Sequence, residues 1–207
     1  MATVTVIGAG AVGSAVAGLA RRAGADVQVL ARNKANAEAV AGSLGAQAGV
    51  VGDPVTGEIV VLAVPFDAFT DVLTHYPDGF ESRIVVDVSN PVDLATFDDL
   101  GVPADSSATR VLAEAVPGAR VVKAFNTNFA STLQSGRIGD AATTVLVAGD
   151  DADAKTTLID LVQAAGLRGV DAGGVKRARE LEALAFLQIT LAAGENISWA
   201  GGFALAD

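Results

Sequence analysis

Six residues near the N-terminus, Gly8-Ala9-Gly10-Ala11-Val12-Gly13, constrain this chain more than any other feature. They follow a run of Thr, Val and Ile at 3–7 that reads as a strand, and they open an Ala-rich helical stretch at about 10–23. In such a strand–turn–helix the first glycine makes the tight turn and the second lets backbone approach a pyrophosphate. The third lets the helix pack closely on the strand. The helix N-terminus then offers unpaired N–H groups and the positive end of its dipole to phosphate. Alone, G-x-G-x-x-G is a weak signal in a chain with 23 glycines. Here it has its full context, a second strand at 26–30 included, within about 30 residues. Residues 1–34 therefore predict a dinucleotide site.

β-Branched runs alternating with Ala-rich stretches extend the pattern. Strands are expected at 3–7, 26–30, 48–51, 58–64, 83–88 and 120–125, with further ones at 143–148 and 167–171. Helices are expected at 34–44, 66–75, 106–115 and 152–165, and for most of the chain after 175. This alternation predicts an α/β fold, a Rossmann doubly wound and mostly parallel sheet with a short C-terminal helical extension. No Pro- or Ser-rich linker intervenes. The simplest division is a dinucleotide-binding domain at 1–174 and a C-terminal extension at 175–207. In that extension Leu181, Leu184, Ala185, Leu187 and Leu191 alternate with Glu180, Glu182 and Gln188. Its apolar side must cover something.

The stretch after the second strand, Leu30-Ala31-Arg32-Asn33-Lys34, bears on the choice of dinucleotide. An NAD site carries an acid there for the ribose 2′-OH. None is present; Asp26 and Glu38 are the nearest. Arg32 can pair with a 2′-phosphate and lie flat on adenine. With Ala31, and with Asn33 and Lys34 as further ligands, it favours NADP. The plainer alternative makes Arg32 and Lys34 solvated residues opening a helix.

Composition narrows the partners. The 14 Lys and Arg against 24 Asp and Glu leave a net charge of −10. Such a field repels nucleic acid and anionic membranes, so an anionic nucleotide needs local positive potential. With no cysteine and one histidine, His75, disulfides and thiolate sites are excluded and no metal site is expected. No apolar run of about 18 residues occurs, and no basic residue precedes the apolar start. A cytoplasmic protein is the expectation.

Few residues qualify as acid or base. His75 and Tyr76 fall at the far end of the 66–75 helix and suit structural or surface roles. Lys123 faces either a pocket or a neighbouring helix, Asp87 reads as a structural carboxylate, and Asp150 and Asp151 read as helix caps. Thr127 and Asn128 either bind an acceptor or cap a helix at 129–133. No catalytic acid or base is therefore assigned. Hydride transfer between two stacked rings needs none, whereas carbonyl reduction needs a proton donor.

Taken with Val121-Val122-Lys123-Ala124-Phe125-Asn126-Thr127, Ala148-Gly149-Asp150-Asp151, Gly166-Leu167-Arg168-Gly169-Val170-Asp171-Ala172-Gly173 and Ala178-Arg179-Glu180-Leu181-Glu182, the sequence resembles a known family. It is similar, over nearly its whole length, to the NADP oxidoreductases that use the deazaflavin coenzyme F-420 (F420). These belong to a wider group of dinucleotide-binding proteins that includes ferric-reductase domains. The resemblance implies NADP as cofactor and F420, or a flavin, as co-substrate. It implies that Ala63, Val64, Pro65 and Phe66 line the cofactor cleft. Asn126, Thr127, Asn128 and the Ala130 backbone would border the nicotinamide and the acceptor ring. It also implies a homodimer, with the last helix closing the acceptor pocket. Archaeal members usually carry His where this chain has Asn126. The alternatives are an NADP-dependent reductase of a small imine or carbonyl metabolite, and a dinucleotide-binding regulator without turnover.

Overall fold

The computed structural model describes residues 1–205 apart from 78–79 and 94. In chain order, β1 (Thr3–Ile7), α1 (Ala11–Arg22), β2 (Asp26–Ala31), α2 (Lys34–Leu44) and β3 (Gln47–Val50) form the first half. The second half follows as β4 (Ile59–Leu62), α3 (Phe69–Thr74), β5 (Ile84–Asp87), α4 (Ala108–Ala115) and β6 (Arg120–Lys123). Then come α5 (Ala130–Ser135), a small hairpin of β7 (Arg137–Ile138) and β8 (Ala141–Ala142), and β9 (Thr144–Gly149). The chain continues with α6 (Ala152–Ala164), β10 (Arg168–Gly173) and α7 (Ala178–Ala193).

Eight strands make one sheet in the order β10-β9-β6-β5-β4-β1-β2-β3. From β3 to β6 this is the Rossmann order, and every pair there is parallel. β9 is added antiparallel to β6, and β10 pairs parallel with β9. The period of two decides which face each residue covers. Val4, Val6, Ile59, Val61, Ile84 and Val86 meet the core under α1, α2, α5 and α6. Ile7, Val60, Leu62 and Val85 meet the core under α3 and α4. Burial on both faces is why these strands are continuous apolar runs. Strand order reverses between β1 and β4, so a crevice opens beyond their C-terminal ends.

The observed ends differ from the expected ones for local reasons. The strand expected at 58–64 stops at Leu62, and Pro65 begins a 3-10 turn at Phe66–Ala68 before α3. The strand expected at 120–125 stops at Lys123, because Phe125 takes φ +65° and reverses the chain. The hairpin of β7 and β8 was not foreseen; Gly139, at φ +56°, makes its turn. After α7 the chain doubles back: Glu195 takes φ +59°, and the Asn196 amide donates to Leu191 O at 2.9 Å. No helix among the described residues is long and apolar enough to cross a membrane.

Candidate functional site

The glycine turn is fixed by contact. Gly8 has φ +122°, and a Cβ there would lie 2.1 Å from Ala63 O. A Cβ at Gly13 would lie 2.1 Å from Gly8 O, so α1 sits as close to the turn as backbone allows. A Cβ at Gly10 would meet nothing within 4 Å. Gly10 starts α1 with no side-chain cap, leaving the helix's first N–H groups for a ligand.

Beside this turn lies a cavity of about 390 Å³ lined by Gly8, Ala9, Gly10, Ala31, Arg32, Asn33, Asn36, Ala63, Val64, Pro65 and Ala68, among others. Phe66 and Lys34 were expected here and do not line it. Asn33 is occupied locally, its Oδ1 accepting from the Ala35 amide at 2.9 Å as the cap of α2. Lys34 lies 3.7 Å from Glu38. Arg32 is exposed and has no hydrogen-bond or ion-pair partner among the described residues. It is the cation this end of the cavity offers to an anion.

Round the first turn of α1 lies a second cavity of about 460 Å³. Its walls are Ala11, Val12, Val88, Asn90, Phe125, Asn126, Asn128, Phe129, Ala130, Ser131, Ile189 and Trp199. Adjacent residues Gly10 and Ala11 thus face one cavity each. The second cavity contains no ionisable side chain. The loop after β6 is held by its amides. Asn126 Nδ2 donates to Asn90 Oδ1 at 2.9 Å and to Leu181 O at 3.0 Å, and Asn128 Nδ2 donates to Thr144 O at 3.0 Å. Both side-chain carbonyls, Asn126 Oδ1 and Asn128 Oδ1, are buried without a partner among the described residues. Thr127 is buried behind the wall, its carbonyl accepting from Gln188 Nε2 at 3.2 Å. α5 starts from Phe129 with no side-chain cap, so neither Thr127 nor Asn128 caps it.

Residues 3–91 match the family model described as NADP oxidoreductase, coenzyme F420-dependent. The F420-dependent NADP reductase of Methanocaldococcus jannaschii is 28% identical over 139 residues, 65% of this chain and 62% of that protein. The crystal structure of a candidate F420-dependent NADP reductase from Arthrobacter sp. FB24 superposes over all of both chains with a TM-score of 0.86 at 26% identity. The chain is thus similar to the F420-dependent NADP oxidoreductase family. Metalloreductase STEAP3 of Rattus norvegicus is 35% identical over 127 residues, 61% of this chain and 25% of that protein. The chain thus spans under two thirds of the methanogen reductase and a quarter of the metalloreductase.

The remaining acid–base candidates line neither cavity. Lys123 is fully buried, its ammonium donating to Asp87 Oδ2 at 2.9 Å, Glu182 Oε1 at 2.8 Å and Ser89 O at 2.6 Å. Asp87 also accepts from Thr109 Oγ1 and the Ser89 amide. Glu182 accepts from the Ala108 and Thr109 amides at the start of α4. This cluster ties α7 to the ends of β5 and β6, beside the second cavity. His75 is exposed after α3. Tyr76 accepts a hydrogen bond from the Gly52 amide at 2.7 Å, and burial raises its hydroxyl above the usual phenol range. Asp151 caps α6 through the Ala154 amide, whereas Asp150 accepts from the Val175 amide instead. Among the described residues no group of three or more His, Asp or Glu is placed to hold a metal. Sequence reasoning missed Asn90, Ile189 and Trp199 as wall residues; all three reach the cavity through contacts distant in sequence.

Proposed function

We propose that this chain transfers a hydride between NADP(H) and a planar flavin-like acceptor, with coenzyme F420 the first candidate. The observation that carries the reading is the cavity beyond Gly10, ring-sized, apolar and free of ionisable groups. A pocket of 300–1,000 Å³ is the usual scale for a small-molecule site, and carbonyl reduction there would lack its proton donor.

The residues fit the dinucleotide. The glycine cradle, which a Cβ at Gly8 or Gly13 would fill, brings uncapped α1 amides to pyrophosphate. Unpaired Arg32 meets the 2′-phosphate, and Ala31, Ala63, Val64 and Pro65 line the way to it. When bound, the reduced dinucleotide supplies the hydride. The chain's part is to hold two rings in order and keep water out, which suffices where proximity and orientation carry the rate. Asn126 and Asn128 contribute buried carbonyl oxygens for ring N–H groups, and Ala130 starts α5 at the same wall.

On this reading residues 1–174 bind the dinucleotide and 175–207 complete the acceptor side. The protein works in the cytoplasm as a homodimer that covers Leu187 and Leu205, about half exposed in the single chain. NADPH oxidation with F420, FMN, a ferric chelate and a cyclic imine, offered in turn, tests the proposal. Turnover with F420 or FMN supports it. Turnover with the imine alone establishes the carbonyl-type alternative, and tight NADPH binding with no turnover establishes a regulator.

A further inference from the structure

The C-terminal tail turns back on the second cavity, and its placement is built rather than incidental. Gln188, on α7 and 2% exposed, bridges two segments: its Nε2 donates to Thr127 O at 3.2 Å, and its Oε1 accepts from the Phe203 amide at 2.9 Å. One buried amide thus holds the tail in register with the loop after β6. The carbonyl of Trp199 accepts from the Ser131 hydroxyl on α5. These bonds set the one tryptophan of the chain at the cavity wall, with its ring centroid 4.9 Å from that of Phe129 at an interplanar angle of 54°.

Trp199 is 55% exposed, so much of its ring surface stays open to a ligand at the cavity wall. Ala11 and Val12 belong to the glycine turn, so a ring entering with the dinucleotide takes their side of the cavity. The wall of Ile189, Phe129 and Trp199 remains for a second ring. The indole N–H has no partner among the described residues, and aromatic faces prefer offset stacking or edge contact with another ring.

We infer that Trp199 is the stacking platform for the acceptor, a planar heteroaromatic ring, and so a specificity-determining residue of the reaction. This rests on the hydride-transfer reading above. The indole does not touch the adenosine cavity, so its loss separates the two substrates kinetically.

The test is steady-state NADPH oxidation by the full chain with F420 and with FMN, for the unaltered protein, Trp199→Leu and Trp199→Phe. Trp199→Leu is expected to raise the acceptor KM about tenfold, the scale of a lost aromatic pair, while the NADPH KM stays unchanged. Trp199→Phe is expected to restore most of the loss. Light scattering on the same samples is expected to show no change in mass. The inference is overturned if Trp199→Leu leaves the acceptor KM unaltered, or moves both KM values equally. It is also overturned if Leu serves as well as Phe, or if the variant loses mass and higher protein concentration restores its KM, which marks a subunit contact. No turnover with either acceptor by the unaltered chain overturns the hydride-transfer reading itself, and this inference with it.

Discussion

Replacing Lys123 by Met removes the one cation between two buried carboxylates and leaves its volume nearly filled. The ammonium's three protons are all spent, on Asp87, Glu182 and Ser89 O, and both acids have no exposed side-chain surface. Without it, Asp87 keeps the Thr109 hydroxyl and the Ser89 amide, and Glu182 keeps two amides of α4. The hydrogen bonds are thus partly maintained, but two negative charges are left close together and unneutralised. Breaking a buried pair from one side costs about 3–5 kcal/mol. A chain of 207 residues loses about 2–4 °C of Tm per kcal/mol, so Tm should fall by roughly 6–20 °C. Thermal unfolding by circular dichroism at neutral pH measures it. Lys155→Met is the control, because its partner Asp171 is half exposed and such pairs contribute about 1 kcal/mol or less. Adding Asp87→Asn and Glu182→Gln to Lys123→Met should recover part of the loss. A Lys123→Met drop no larger than that of Lys155→Met would refute the reasoning.

Gly13→Ala places a methyl 2.1 Å from Gly8 O and 3.1 Å from Ala63 Cβ, so α1 must move off the turn. NADPH affinity should fall at least about tenfold, an amount equal to one lost phosphate hydrogen bond, and calorimetric titration reads it. The acid limb of stability offers a separate check. Hydrogen bonds from Lys155, then from the Gly173 amide, hold the Asp171 carboxyl below the usual carboxylate range. A depressed carboxyl contributes stability above its unfolded pKa and loses it as pH falls through the folded one. Asp171→Asn should therefore be slightly less stable than the parent at neutral pH and equal to it in strong acid; a gap constant with pH contradicts this.

The parts of the molecule legible in the sequence are those set by short-range geometry. The Gly8–Gly13 turn declares itself because each glycine answers a contact within one strand–turn–helix. The strand faces follow from residues such as Val60 and Val61 pointing opposite ways. Asn33 shows the limit of local reading. A polar residue before a helix suits either phosphate or the helix's own amides, and here the Ala35 amide takes it. Lys123 could not be settled from its strand, since its partners lie 36 and 59 residues away. Trp199 meets Ser131 across 68 residues, and nothing in a Gly-rich tail announces that Gln188 will pin it. Phe125 ends β6 early through a left-handed backbone that propensity does not foresee.

On the proposed reading, an uncapped glycine turn and an unpaired Arg32 select a 2′-phosphorylated dinucleotide. Calorimetric titration of the protein with NADPH and with NADH, repeated on Arg32→Ala, tests it most directly. NADPH should bind about tenfold to a hundredfold more tightly than NADH, the scale of one charge-assisted hydrogen bond, and Arg32→Ala should erase most of that gap. Equal affinities in the parent protein, or a preference that survives the loss of Arg32, would contradict the account.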